Sequence, residues 1–245
     1  MREQPEQQAP PVQRLRIRYA KRGRLRFTSH RDFSRAFERA VMRARIPMAY
    51  SSGFHPHPRI SYAGAAPTGS ASEAEYLEIG LAEVVDPVTV ATALAEALPD
   101  GLDVLQVVES PGGSLADLLT ASHWTIRLPA GQARLLEAVG AFLAADAVTV
   151  ERMTKKGLRE FDCRAAVVSL AVGEAAGQPE LDLVLRHTVP AVRPDDVLTG
   201  LGQIAGEPDE TAAPTAGGSA LMTRWAQGPL DETTGSVGDP LASSA

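Results

Sequence analysis

The sequence predicts an α+β protein that consists of two tandem ferredoxin-like (βαββαβ) domains. Apolar residues alternate with polar ones in several short segments, helical periodicity separates these segments, and the order β-α-β-β-α-β occurs in both halves. The chain has 245 residues, which is enough for two small domains. The predicted parts are a disordered leader at 1–13, a basic domain with a His/Pro loop at 14–110, a second domain at 122–230 and a disordered tail at 231–245.

In the first half, Leu15, Ile17 and Tyr19 alternate with arginines, which predicts a strand with one buried face. Ser29 is placed to cap the helix that follows, with Asp32 completing a capping box. The remaining elements of this half are predicted strands at 60–63, 75–81 and 102–108 and a helix at 87–98.

The second half repeats this order after a join near 110–121. Its predicted strands lie at 124–128, 148–153, 163–172, 181–187 and 221–226, and its helices at 132–145 and 193–204. A polar turn at 155–157 separates the second strand from the third, and a linker rich in Pro, Gly and Thr spans 206–219.

Composition excludes several classes of protein. Cys163 is the only cysteine, so the chain has no disulfide framework, no four-cysteine zinc site and no iron–sulfur cluster of its own. No apolar run reaches the roughly 18 residues of a membrane helix, and the polar N-terminus lacks the apolar centre of a secretory signal. We therefore expect a cytoplasmic protein without a membrane span, a metal or a cofactor.

Charge is distributed unevenly along the chain. The net charge is −6, but residues 14–62 hold 13 Arg and Lys residues against two acids, Asp32 and Glu38. This segment therefore carries +11 (13 − 2), and the rest of the chain carries −17. Because local fields decide which partners a surface attracts, the acidic total does not argue against an anionic partner here.

The predicted helix of the basic segment has arginines at four-residue intervals: Arg31, Arg35, Arg39 and Arg43. Such a row is often only a solvated helix face, but the Glu–Arg pairs that usually stabilise it are missing here. Arginines one turn apart repel each other unless an anion lies across them, and the planar guanidinium group suits phosphate. We therefore expect an anionic partner, RNA in the first place. Arginines from the preceding segment are expected to extend the patch: Arg14, Arg16, Arg18 and Arg26.

The loop S-S-G-F-H-P-H-P-R at 51–59 is the most unusual segment of the chain. Its prolines restrict His55 and His57 to extended backbone geometry. Four interpretations remain open: a metal site that lacks an evident third ligand, a general acid–base site, a rigid recognition loop, and a purely structural loop. In the recognition loop, Phe54 and the imidazoles would stack on a base while Arg59 binds phosphate.

His30 is expected at the N-terminus of the arginine-rich helix, where free backbone N–H groups attract anions. It is either a third candidate for acid–base catalysis, beside His55 and His57, or a residue that caps the helix. Three acids of the next strand region are expected to pair with the arginines rather than to hold a divalent ion: Glu73, Glu75 and Glu78. The segment at 64–70 matches neither a P-loop nor a dinucleotide-binding fingerprint.

A second, weaker basic patch is predicted in the second half. It consists of Lys155, Lys156, Arg159 and Arg164, with Asp162 as an internal partner. Lys156 and Arg159 are its candidate RNA-binding residues.

Three motifs resemble a known bacterial family. They are F-T-S-H-R-D-F-x-R-x-x-x-R-A at 27–40, P-x-x-Y-S-S-G-F-H-P-H-P-R-I-S at 47–61 and P-T-G-S-x-S-E-x-E-Y at 67–76. They are similar to the radical SAM-associated domain of unknown function, which is fused to, or encoded beside, a radical SAM protein with a cobalamin-binding region. The resemblance implies a radical SAM partner. The layout is also similar to that of CRISPR repeat-processing endoribonucleases, which bind RNA across two ferredoxin-like domains.

Three functions follow from these features. The first is a non-enzymatic accessory that binds RNA or a ribonucleoprotein substrate and presents it to the radical SAM partner. The second is a metal-independent endoribonuclease with His30, His55 or His57 as the acid–base group. The third is a protein interaction module whose basic face docks an acidic protein. Because the chain lacks the three-cysteine motif of radical SAM enzymes, radical chemistry must come from another chain.

Overall fold

The computed structural model describes residues 7–128, 132–154, 157–206 and 220–242. These residues fall into two compact units. The first unit runs up to Leu118 and includes Pro240 and Leu241, and the second is Leu119–Asp239. Both units contain helices and antiparallel strands, so the predicted α+β class is confirmed.

The first unit has the element order that the sequence predicts. Its elements are β1 (Gln13–Lys21), a 3-10 helix (Gly23–Phe27), α1 (His30–Arg43), β2 (Ile60–Ala63), β3 (Ala71–Leu81), α2 (Pro87–Ala97), β4 (Leu102–Glu109) and a second 3-10 helix (Ala116–Leu118). The strands pair antiparallel in the order β4-β1-β3-β2. The two helices connect β1 with β2 and β3 with β4.

One face of this sheet packs against the helices. Leu15, Ile17 and Tyr19 are buried on that face, as their alternation predicts. The ring of Tyr19 stacks on that of Phe33 in α1, with 4.4 Å between the ring centroids. Because the apolar stripe of α1 is fixed against the sheet, the opposite stripe of the helix faces away from it.

The other face of β1 is not the exposed row of arginines that the sequence predicts. Arg16 is only 2% exposed. Its Nη2 donates to the carbonyl oxygens of Gly112 (2.7 Å) and Gly113 (3.1 Å), in the segment that follows β4. This segment covers Arg16 and supplies the acceptors that a buried guanidinium group requires.

The described residues of the second unit form a four-stranded main sheet, two helices and an additional hairpin. Its elements are β5 (Ala121–Arg127), α3 (Gln132–Ala144), β6 (Thr149–Thr154), β7 (Gly157–Asp162), β8 (Val167–Ala175), β9 (Gln178–Arg186), α4 (Pro194–Ile204) and β10 (Leu221–Gly228). The main sheet of this unit has the antiparallel order β10-β5-β9-β8.

The hairpin of β6 and β7 is a difference from the prediction. The sequence predicts strands at 148–153 and 163–172, which would face each other across the turn. Instead, β6 pairs with β7, and β8 begins only at Val167 and pairs with β9. β6 and β7 therefore form a separate two-stranded hairpin, and the carboxylate of Asp162 at its end accepts a hydrogen bond from the backbone N–H of Val148 (3.0 Å).

Some of the described residues near each end of the sequence belong to the fold. The N–H of Val12 donates to the carbonyl of Leu81 (2.9 Å), and Gln13 is already part of β1. At the other end, Leu230 and Val237 form an isolated β-bridge, and Leu241 is buried. Order therefore extends into both segments that the sequence analysis expects to be disordered. No helix among the described residues has the length and apolar character needed to cross a membrane.

Candidate nucleic-acid interface

The start of α1 is fixed by the residues that the sequence analysis names. The backbone N–H of Asp32 donates to Ser29 Oγ (3.2 Å), and the Ser29 hydroxyl donates to Asp32 Oδ2 (2.7 Å). Ser29 is therefore the N-cap, as predicted. The buried stripe of the helix holds Phe33, Phe37, Ala40 and Val41. With this stripe in the core, the helix presents its arginines on the outside.

The arginine ridge, which we define as Arg31, Arg35, Arg39 and Arg43, is exposed along its whole length. Arg31, Arg35 and Arg39 form no ion pair or side-chain hydrogen bond with another described residue. Arg43 donates from Nη1 to the carbonyl of Ala97 (3.2 Å) and is the only member tied to the fold in this way among the described residues. The ridge therefore keeps most of its hydrogen-bonding capacity for a ligand.

The arginines of β1 do not extend this surface, which corrects the expectation of a larger patch. Arg14 and Arg16 both donate to the carboxylate of Glu78, at 3.0 Å and 3.2 Å. Arg18 donates from Nε to the carbonyl of Glu73 (2.8 Å). The predicted pairing of the β3 acids with arginines is correct for Glu78 and for Glu73, which pairs with Arg22. These guanidinium groups stabilise the sheet.

Arg22 and Arg26 are also engaged within the fold. Arg22 pairs with Glu73 and with Asp103 (2.7 Å), and the hydrogen bond that it donates to Glu73 is the largest cause that raises its pKa. Arg26 is half-buried, with its guanidinium carbon 4.7 Å from the centroid of the Phe27 ring and its Nε shielded from solvent without a hydrogen-bond partner. Arg26 was predicted to bind anions, but the fold leaves it less accessible than the ridge.

The His/Pro loop is a closed loop with a narrow neck. The N–H of Ser51 donates to the carbonyl of His57 (2.9 Å), and the N–H of His57 donates to Ser51 Oγ (3.0 Å). At the tip, Gly53 has a φ of +124°, which disfavours a residue with a side chain. Phe54 is 62% exposed, and His55 and His57 are exposed. The loop thus presents an aromatic ring and imidazoles to solvent on a fixed base.

Arg59 lies just beyond this neck. Its Nε donates to the carbonyl of Tyr50 (3.1 Å), which sets the orientation of the guanidinium group. Its backbone joins Ala49 and Gly80 by hydrogen bonds of 2.8 Å and 2.9 Å. Arg59 is therefore an anchored cation at the base of the loop, and its role as a phosphate ligand stays a prediction.

A cleft of about 190 Å³ lies at this base and brings His57 and Arg59 together with Arg14 and Glu78. Arg14 and Glu78 project from the sheet face opposite to the one that α1 covers, because side chains alternate along a strand. The cleft and the arginine ridge are therefore on different faces of the first unit. The cleft has no signal in the sequence, because no local pattern indicates which strand residues pair beside the loop.

His30 is exposed at the first position of α1, as predicted. Its ring meets that of Tyr62 edge-on, with 4.9 Å between centroids. Burial of Tyr62 raises the pKa of its hydroxyl. The three candidate catalytic histidines thus divide between the helix start, which holds His30, and the loop, which holds His55 and His57.

The second basic patch is only partly present. Arg159 is exposed in β7, whereas Lys155 and Lys156 lie outside the described residues. Arg164 donates to the carbonyls of Val167 and Leu143 (both 3.3 Å) and so belongs to the fold. Asp162 accepts backbone N–H groups rather than a guanidinium group. Within the described ranges, no group of three His, Cys, Asp or Glu residues is placed to hold a metal ion.

Comparisons with known proteins give one family match. The model of a family described as "Uncharacterized protein conserved in bacteria (DUF2344)" matches residues 14–194. No curated protein matches the sequence. Among solved structures, a chain of "Crystal Structure of a Cbf5-Nop10-Gar1 Complex" is similar, with a TM-score of 0.46 and 9% identity over 94% of this chain. The present chain spans 57% of that chain, and a TM-score this low does not establish a shared fold.

Proposed function

The chain belongs to the DUF2344 family of uncharacterized bacterial proteins, and we propose that it binds RNA through the arginine ridge as an accessory of a radical SAM partner. The partner is inferred from the motifs at 27–76, which resemble the radical SAM-associated domain. As scaffold we propose two tandem ferredoxin-like domains. The strand orders β4-β1-β3-β2 and β10-β5-β9-β8 support this, since each unit places equivalent strands in equivalent positions.

The observation that carries the proposal is the contrast between the ridge and the other arginines of the first unit. Arg31, Arg35 and Arg39 are exposed and lack a described partner, whereas Arg14 and Arg16 share the carboxylate of Glu78. Like charges one helical turn apart destabilise a helix. A polyanion that lies along the ridge would remove this repulsion and release counterions.

The geometry of the ridge suits a phosphate backbone better than a single anion. Arg31 and Arg39 are eight residues apart, which is about 12 Å along a helix axis. A row of this length allows contact with more than one phosphate, and each guanidinium group can bind phosphate through two parallel hydrogen bonds. The ridge consists of arginines that would contact phosphates and not base edges. We therefore expect it to contribute to the affinity for RNA but to give little sequence preference.

The test is a salt titration of the binding of single-stranded RNA to the full chain. We expect Arg35→Ala with Arg39→Ala to weaken binding and to reduce the slope of log K against log salt by about 1.4, the value for two lost phosphate contacts. The control is Arg127→Ala with Arg186→Ala, which removes the same charge from arginines that pair with Glu180 and Glu232. If the control lowers the slope as much as the ridge variant, the effect is one of net charge and the ridge is not the site.

Two other results would select a different function. Cleavage of labelled RNA that disappears in His30→Ala, His55→Ala or His57→Ala would assign an endoribonuclease. Co-purification of a protein partner that resists nuclease treatment, without measurable RNA binding at low salt, would assign a protein interaction module.

A further inference from the structure

The cleft at the base of the His/Pro loop has the charge of a binding site for a small anion. Three guanidinium groups, those of Arg14, Arg16 and Arg59, lie in or directly beside it, against the single carboxylate of Glu78. The local net charge is therefore +2 (3 − 1) with His57 neutral. Arg16 is buried and bound to Glu78, so it adds positive charge near the cleft without a direct contact to a ligand.

The carboxylate of Glu78 is already committed to the fold and does not repel an anion as a free acid would. It accepts hydrogen bonds from Ser110 (2.7 Å), Arg14 (3.0 Å) and Arg16 (3.2 Å). Burial acts to raise the pKa of Glu78, but these three hydrogen bonds outweigh it and hold the pKa below the usual value. Glu78 is thus ionised and neutralised by its own partners.

Arg59 is the cation that remains for a ligand. Its Nε is used by Tyr50, but its terminal nitrogens form no hydrogen bond with a described residue. Because the backbone on both sides is bonded to Ala49 and Gly80, the guanidinium group is held in place before any ligand binds. Two hydroxyl groups, those of Ser51 and Ser61, line the same cleft.

The wall of the cleft depends on a close approach at Gly80. A Cβ at this position would lie 3.0 Å from the Cβ of Pro11 and 3.3 Å from the Cβ of Arg59. Glycine therefore allows Pro11 and Arg59 to close around β3, which gives the cleft its concave shape. Preformed concavity and few fixed polar groups are typical of small-ligand sites.

From these observations we infer that the cleft binds a phosphate monoester dianion, with Arg59 as its principal ligand and Arg14, Ser51 and Ser61 beside it. A dianion matches the local charge of +2, and the planar guanidinium group matches phosphate geometry. The phosphate has two conceivable sources, a free mononucleotide or the terminal phosphate of an RNA strand. The inference goes beyond RNA binding by the ridge and does not depend on it, because the cleft is on the other face of the sheet.

The experiment measures the binding of adenosine 5′-monophosphate, adenosine and inorganic phosphate to the full chain by isothermal titration calorimetry. A parallel arm compares a 5′-phosphorylated RNA oligonucleotide with its 5′-hydroxyl form. We expect Arg59→Gln to weaken the binding of the phosphorylated ligands by a factor of at least about ten, because the variant loses a charged hydrogen-bond donor. The matched control is Arg45→Gln, which removes one exposed arginine elsewhere in the unit and should change affinity less than twofold.

A second variant guards against disruption of the loop by the loss of the Arg59 bond to Tyr50. Ser61→Trp fills the cleft from an exposed position without a change of charge, and it should abolish the binding of phosphorylated ligands while thermal unfolding stays cooperative. The ridge variant, Arg35→Ala with Arg39→Ala, should leave mononucleotide binding intact. Failure of the cleft site and failure of RNA binding by the ridge are thereby distinguishable.

Each result either supports the phosphate site in the cleft or overturns it. Binding of the mononucleotide that depends on Arg59 supports the inference with a free nucleotide as the source. Preference for the 5′-phosphorylated oligonucleotide that disappears in Arg59→Gln supports it with an RNA end as the source. The inference is overturned if adenosine binds as tightly as its monophosphate, if no phosphorylated ligand binds, or if Arg59→Gln and Ser61→Trp both leave binding unchanged.

Discussion

The first unit contains two rows of arginines that have opposite roles. In β1, Arg14 and Arg16 are bound to Glu78, and Arg16 is buried. In α1, the ridge arginines are exposed, and three of the four lack a described partner. Each arginine of either row counts equally toward the +11 of residues 14–62, so the charge of a segment does not reveal which of its cations are available.

The difference arises from what each row faces. β1 pairs with β3, which places Arg16 opposite Glu78 and supplies a carboxylate at hydrogen-bond distance. α1 has only two acids, and one of them, Asp32, accepts a hydrogen bond from the capping Ser29. A strand arginine thus becomes a structural residue through its neighbour strand, whereas a helix arginine stays available when no acid of its own helix forms an ion pair with it.

The largest effect is expected from Arg16→Ala, which tests the structural role of the β1 row. The change removes one of the three hydrogen-bond donors to Glu78 and the donor to the carbonyls of Gly112 and Gly113, and the loss of one partner of a buried ion pair costs about 3–5 kcal/mol. Urea unfolding measures this cost. Arg14→Ala is the control, because Arg14 binds the same carboxylate but its side chain is 54% exposed, and it should cost about 0–1 kcal/mol. Equal costs for the two variants would contradict the distinction between buried and exposed members of this row.

A smaller effect is expected from the pH dependence of Glu78. Its pKa is below the ordinary value of about 4.3, so its ionised form stabilises the fold above that pH, and this contribution is lost as the pH falls through the lower folded-state pKa. At neutral pH, Glu78→Gln should cost about 1.5–3 kcal/mol, the value of hydrogen bonds to a charged group. The difference in the free energy of unfolding between wild type and Glu78→Gln should stay constant down to about pH 5 and become smaller below about pH 4. A difference that is independent of pH would show that charge plays no part.

The same comparison shows what could be predicted from the sequence. The alternation of Leu15, Ile17 and Tyr19 identifies β1 and its core face, because burial on one face imposes a period of two. Ser29 identifies the start of α1, because capping is local. The burial of Arg16 could not be predicted, since it depends on Gly112, which is 96 residues away.

The candidate site divides in the same way. The exposure of the ridge follows from helical periodicity, and the sequence also shows that its four arginines outnumber the two acids of the helix. The stiffness of the His/Pro loop follows from its prolines. The cleft beside it required the pairing of β1 with β3 and of β3 with β2, which brings Arg14, Ser61 and Glu78 together from three strands. Register between distant strands is not encoded in a local pattern, so this part of the site appears only in the folded chain.

The smallest effect on stability tests the ridge, and its sign is opposite to that of the β1 row. Arg35→Glu replaces two repulsive contacts, with Arg31 and Arg39, by two attractive pairs at i,i+4 spacing, and should stabilise the protein by about 0.5–1 kcal/mol. RNA binding should fall at the same time, because one phosphate contact becomes a repulsion. Arg35→Gln removes the repulsion without adding pairs and should give about half of the gain in stability. Thermal unfolding at low salt measures the gain, which added salt should reduce. If the ridge is only a solvated helix face, Arg35→Glu should stabilise the protein by the same amount without any loss of RNA binding. If Arg35→Glu instead destabilises the protein, Arg35 already has a stabilising role in the fold.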